Sequence, residues 1–144
     1  MEFNARFGDP ETQVILPCLA SDLAALLNGV ATGTLGSVAP PAFHGSAVGI
    51  ALASGGYPGI YPKGLPISGL PDDLVSFDDV SIVFHAGTET RAPDHLVTAG
   101  GRVMTVVGTG ADLAEARSIA YDRAARITFD GMQFRTDIAA RELT

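Results

Sequence analysis

The sequence predicts an α+β fold with a mainly antiparallel sheet and a packing helix. Three observations lead there. Short strand-like runs recur at 47–53, 80–85, 95–98 and 102–107, with glycine- and proline-rich turns between them. A helical pattern over 112–126 places Leu113, Ala116, Ala120 and Ala124 on one small-residue face. A second, leucine-rich helical pattern stands apart, ahead of Pro40 and Pro41.

The elements follow in order. Residues 2–7 read as a strand with Glu2, Asn4 and Arg6 on one face and Phe3, Ala5 and Phe7 turned into a core. Asp9-Pro10-Glu11 reads as a helix start: Asp9 caps, Pro10 takes the first helical position, and Glu11 complements the positive end of the dipole. Pro17 interrupts this helix or opens a second one. Leu19, Leu23, Leu26, Leu27 and Val30 then repeat as a buried helical face, which Gly29 or Gly33 ends. Residues 35–45 read as a linker between segments 1–34 and 46–144. The strand at 47–53 leads into a long turn region over 55–69. After the strands at 80–85, 95–98 and 102–107 comes the helix at 112–126, with Thr109 and Asp112 as its capping pair. A short strand at 127–129 and a turn or helix near 138–141 close the chain.

Composition narrows the function classes. A chain of 144 residues suits one compact domain, or one domain plus a fragment. With 47% hydrophobic and 17% charged residues it reads as an ordinary core-former, not a disordered segment. A net charge of −7 argues against nucleic-acid and anionic-membrane partners, which favour basic patches. No apolar run approaches the roughly 18–20 residues that span a bilayer. The first residues lack the basic and apolar regions of a signal peptide. The single cysteine, Cys18, allows no intramolecular disulfide and fits a reducing cytoplasm.

The chemistry-bearing residues concentrate at the start. A carboxylate, an amide oxygen and a guanidinium at positions 2, 4 and 6 form a candidate metal-and-phosphate edge. Hard cations take oxygen ligands, and arginine grips phosphate or carboxylate in two-pronged fashion. Elsewhere the motifs favour structural readings. Gly108-Thr109-Gly110-Ala111-Asp112-Leu113-Ala114 has the look of a dinucleotide fingerprint, but its third small residue is one position late and no second parallel strand follows, so a capped strand-to-helix turn accounts for it. The Gly55–Gly64 stretch is not a P-loop, because no Gly-Lys-Ser/Thr follows the required gap. Lys63 is the only lysine, yet its flanks do not match the Met-Lys-Met turn of biotin carriers. Lys63 and Arg102 remain candidates for a phosphate at a cleft. His44, His85 and His95 lack metal spacing, with His85 read as a structural hydrogen-bonding group. Cys18, among apolar helix residues, reads as inert.

The string Glu2-Phe3-Asn4-Ala5-Arg6-Phe7-Gly8-Asp9-Pro10-Glu11-Thr12-Gln13 resembles the last metal-binding strand of the ATP-grasp domain in the phosphoribosylamine–glycine ligase (glycinamide ribonucleotide synthetase) family. Five further stretches resemble the C-terminal domain of that family, in order. They are Ala53-Ser54-Gly55-Gly56-Tyr57-Pro58-Gly59, Tyr61-Pro62-Lys63-Gly64, Val83-Phe84-His85-Ala86-Gly87-Thr88, Gly100-Gly101-Arg102-Val103 and Phe129-Asp130-Gly131-Met132.

The resemblance implies a fold, an activity and a set of roles. The fold is a rudimentary single-hybrid, barrel-sandwich-like C-terminal domain over 46–144, preceded over 1–34 by the last strand and helix of an ATP-grasp domain. The activity is ATP-dependent joining of glycine to 5-phosphoribosylamine through a glycyl phosphate, a step of de novo purine synthesis in the cytoplasm. The resemblance makes Glu2 and Asn4 ligands of Mg²⁺ or Mn²⁺ and sets Arg6 against the transferred phosphoryl or acyl phosphate. Asp9 and Glu11 become candidates for holding the amine substrates, beside their capping and dipole readings. The family's N-terminal domain and most of its ATP-grasp domain have no counterpart here, so the expectation is a ligase fragment that is inactive alone. The rival reading is a free-standing, non-catalytic module that binds a ligand or partner. An upstream reading frame encoding the remaining ATP-grasp strands would discriminate the two.

Overall fold

The computed structural model describes residues 5–70, 80–91 and 95–143. Among these residues, five strands, β1 (Ser46–Ala53), β2 (Ser81–His85), β3 (Thr88–Arg91), β4 (His95–Thr98) and β5 (Arg102–Gly110), accompany three α-helices, α1 (Glu11–Ile15), α2 (Leu23–Thr32) and α3 (Leu113–Ala124). The sheet is organised around β5, which pairs antiparallel with β1 on one side and β2 on the other. Strands β3 and β4 form a separate antiparallel ribbon. The α+β, antiparallel expectation holds.

The two faces of the sheet are covered differently. Val48, Ile50 and Leu52 of β1 and Met104 and Val106 of β5 are buried in one cluster with Ala116, Ala120 and Ala124 of α3. The small-residue face predicted for this helix is therefore its buried face. It allows so close an approach that Gly108 lies directly beneath the backbone of Ala116 and Ala120. On the opposite face, Val14 of α1 lies over Gly49, beside Thr105 and Val107. Both sides of β5 are thus shielded, which is why Val103, Met104, Val106 and Val107 are all fully buried.

The pairing of β5 with β1 is irregular at one point. Leu52 opposes Met104, but Ala53 opposes Arg102, so the register shifts and Val103 has no opposite residue on β1. Such a bulge reverses the inward and outward alternation beyond it. Arg102 consequently shares a face with Ala53, on the side covered by α1.

Several local expectations are corrected. Residues 5–8 form no strand, and Ala5 and Phe7 are exposed rather than turned into a core. A strand needs a ladder partner, and among the described residues none runs beside them. Phe3 lies outside the described residues. The leucine-rich helix begins at Leu23, capped by Asp22, whose Oδ1 accepts from the backbone N–H of Ala24 and Ala25. It ends at Gly33 in the left-handed region, φ 71°. Leu19 precedes it and bridges to Phe43 instead. The predicted buried face is only partly covered: Leu23 and Leu26 are half-buried, whereas Leu27 and Val30 are exposed. The principal packing partner of this helix is the short turn at Leu35–Ser37, too small to cover a whole face. Strand β3 is an element the sequence reading missed. The run at 127–129 supplies only an isolated bridge, between Ser68 and Thr128. At the start of α3, Asp112 caps the Glu115 N–H and Glu115 accepts from the Ala111 N–H. Thr109 is not part of this cap; its hydroxyl donates to the Val80 carbonyl.

Candidate functional site

The candidate site is built on the turn that leads into α1. Residues Ala5, Arg6, Phe7, Gly8, Glu11 and Ile15 line an open concavity of about 510 Å³. Arg6 is exposed, and its Nη1 donates to the neighbouring Phe7 carbonyl at 3.2 Å. The rest of the guanidinium thus has room to meet an anion. The Glu11 carboxylate folds back against Gly8, at the first turn of α1, where a negative charge is favourable.

Asp9 does not cap α1. The helix carries no side-chain cap, and Pro10 occupies the capping position instead of the first helical one. The Asp9 carboxylate is engaged elsewhere. Its Oδ1 accepts from Gln13 Nε2 at 2.9 Å, and its Oδ2 accepts from Arg102 Nη2 at 2.9 Å. A second arm of the same arginine, Nη1, donates to the Asp9 backbone carbonyl at 2.8 Å. The bulge in β5 makes this contact possible, because it aims Arg102 at the α1 side of the sheet. At the Asp9 turn, Thr12 adds two bonds to the Gly8 carbonyl, one from its N–H and one from its hydroxyl.

The structure therefore brings together Arg6, Asp9, Glu11 and Arg102. Lys63 sits in the loop after β1, with its Nζ 6.0 Å from the Tyr61 ring centroid. Tyr61 meets Tyr57 edge-on at 6.2 Å, and both rings pack against Gly101, next to Arg102. Glu2 and Asn4 lie outside the described residues. Gln13 was missed by sequence reasoning, although its i, i+4 spacing from Asp9 was a usable signal. The pairing of Asp9 with Arg102, 93 positions apart, left no local signal.

The remaining candidates behave structurally. His85 Nδ1 lies 3.2 Å from the Thr88 hydroxyl. Cys18 is half-buried, and burial raises its thiol pKa, which disfavours the reactive thiolate. Both neighbours of β5 are antiparallel, and Gly108 and Gly110 lie within β5 beneath the backbone of α3 rather than in the turn that the sequence suggested. Among the described residues, no group of three His, Cys, Asp or Glu side chains could hold a metal ion.

Comparison with known proteins places the whole chain in one context. The profile of the family described as phosphoribosylglycinamide synthetase, C domain, matches residues 47–141. The chain is 49% identical to a phosphoribosylamine–glycine ligase of Leifsonia xyli subsp. xyli, over 98% of the chain and 34% of that protein. It is 50% identical to one of Streptomyces coelicolor, with the same coverage. Its fold is similar to the crystal structure of phosphoribosylamine–glycine ligase from Thermotoga maritima, with a TM-score of 0.75 and 37% identity, over 95% of this chain and 32% of that one. The chain thus spans about a third of the length of the relatives it matches.

Proposed function

The chain belongs to the phosphoribosylglycinamide synthetase C-domain family, and we propose that it serves as the C-terminal third of a phosphoribosylamine–glycine ligase. The observation that carries this reading is identity of 49% and 50%, along 98% of the chain, to proteins bearing that name. In the proposed reaction ATP phosphorylates the glycine carboxylate, giving glycyl phosphate and ADP. The amine of 5-phosphoribosylamine then attacks the acyl carbon, phosphate leaves, and glycinamide ribonucleotide results. This is the purine-synthesis step, placed in the cytoplasm. A single unpaired cysteine and the absence, among the described residues, of a helix able to cross a membrane are compatible with that location.

The proposed roles follow from position and charge. Arg6 meets the transferred phosphoryl or the acyl phosphate, where a guanidinium offsets developing charge. Asp9 and Glu11 shape the side facing the amine substrates, and Lys63 provides a cation at the domain cleft. Glu2 and Asn4 offer oxygen donors alone, the donor type that Mg²⁺ and Mn²⁺ take. When bound, such an ion bridges the ATP phosphates and neutralises part of their charge. No nucleic acid or membrane takes part.

In this reading, residues 1–34 are the end of the ATP-grasp domain, 35–45 are a linker, and 46–144 are the barrel-sandwich-like C-terminal domain. Support comes from the cluster between the sheet and α3, whose members among the described residues all fall between Val48 and Ala139. A piece beginning near Phe43 should therefore melt cooperatively by circular dichroism. A broad melt with dye binding typical of a molten state would show instead that the preceding helices belong to the same core.

Phosphate release in the presence of glycine and phosphoribosylamine tests the function. The intact ligase carrying this segment should release phosphate in a glycine-dependent way. The 144-residue chain alone should not, and calorimetry should detect no micromolar binding of Mg-ATP. Arg6, Asp9, Glu11, Lys63 and Arg102 cannot by themselves provide the several simultaneous contacts that phosphoryl transfer needs. Substrate-dependent phosphate release by the chain alone would overturn the fragment reading.

A further inference from the structure

We propose that Arg102 is a positioning residue that locks the Arg6–Glu11 turn onto the C-terminal sheet, so that a strand of one segment sets the geometry of a substrate-facing turn in the other. The proposal rests on the ligase reading above. Two arms of one guanidinium hold two different oxygens of Asp9, the carboxylate Oδ2 at 2.9 Å and the main-chain carbonyl at 2.8 Å. Holding a carbonyl as well as a carboxylate fixes the path of the backbone, not merely a side chain. Gln13 holds the other carboxylate oxygen, so Asp9 is restrained from α1 and from β5 together.

The bulge supports the same conclusion. Without the register shift between Leu52 and Ala53, the side chain at 102 would face α3. With it, Arg102 faces α1 and the turn. The energetic value of the pair lies in position more than in stability. Both side chains are about half-exposed, at 41% and 53%, and exposed ion pairs contribute little to folding. Arg6 stands three residues from Asp9 in the same turn, and small displacements of a catalytic group cost large factors in rate.

The test has two arms. In the purified chain, hydrogen exchange of Arg102→Ala should show lost protection confined to residues 8–13, with β1 and β5 unchanged. In the intact ligase, Arg102→Ala should lower kcat by about 10- to 100-fold while the KM for Mg-ATP stays within about twofold. Arg102→Lys keeps the charge but not the fork, so it should recover little of the loss. Full activity in Arg102→Lys would mean that a point charge suffices and would overturn the clamp. Local loss of exchange protection with unchanged turnover would overturn the positioning role alone. An unmutated intact protein without ligase turnover would overturn the ligase reading, and this role with it.

Discussion

Replacing Gly108 by valine is expected to abolish the cooperative fold, or to lower Tm by about 10 °C or more. A Cβ at this position would strike the Ala116 carbonyl oxygen and the Ala120 nitrogen, both helix backbone atoms that cannot swing aside. The helix would have to lift off β5, and Ala116, Ala120 and Ala124 would lose the contacts that keep them fully buried. Overpacking a tight core commonly costs about 1–3 kcal/mol, and here every obstructing atom is main chain of α3, so the cost should lie at or above the top of that range. Gly36 provides the control: among the described residues nothing lies within 4 Å of a Cβ there, so Gly36→Ala should change stability by less than about 0.5 kcal/mol. Parallel thermal melts would decide the matter, and a parent-like melt for Gly108→Val would refute the close approach of α3.

The largest effect on activity is expected from Arg6→Ala in the intact ligase. Under the proposed role, this guanidinium offsets charge that develops on the transferred phosphoryl or acyl phosphate. Removing one such donor typically lowers kcat by about 10²- to 10³-fold. Folding should be unaffected, because Arg6 is exposed and, among the described residues, donates only to the adjacent Phe7 carbonyl. Arg6→Lys should recover part of the loss, since lysine supplies charge without the planar fork. Glycine-dependent phosphate release, measured beside circular dichroism, would separate the two contributions. Native turnover in Arg6→Ala would remove Arg6 from the chemistry.

What was legible in the sequence was what periodicity and local spacing encode. Strand β4 at His95–Thr98 was readable to the residue, and α3 was readable from its alanine face. The Arg6–Glu11 cluster was visible because it is contiguous. Strand β3, Thr-Glu-Thr-Arg, escaped because it is largely exposed on a two-stranded ribbon and carries no apolar alternation. Strand β5 runs three residues past its expected end because Gly108 and Gly110, which read locally as turn residues, are demanded by the overlying helix. The helix at Leu23–Thr32 shows the opposite failure: its apolar spacing is real, yet Leu27 and Val30 remain exposed because periodicity does not say whether a covering partner is present. Asp9 looked like a cap because local rules favour that role. The residue that claims it arrives 93 positions later, through a bulge that no local pattern announces.

The central place of β5 has a consequence for the order of events during synthesis. A ribosome delivers β1 roughly 50 residues before β5, and β2 some 20 residues before it. Neither early strand has its sheet partner until β5 emerges, so both wait as unpaired edges exposed to aggregation or to chaperone capture. Such long-range pairing is slow to form. The Asp9 turn waits as well, because Arg102 opens that same strand. A chain cut short anywhere before β5 would therefore lack both the three-stranded sheet and a set turn. Closure of the three-stranded sheet and fixing of the Asp9 turn are one checkpoint.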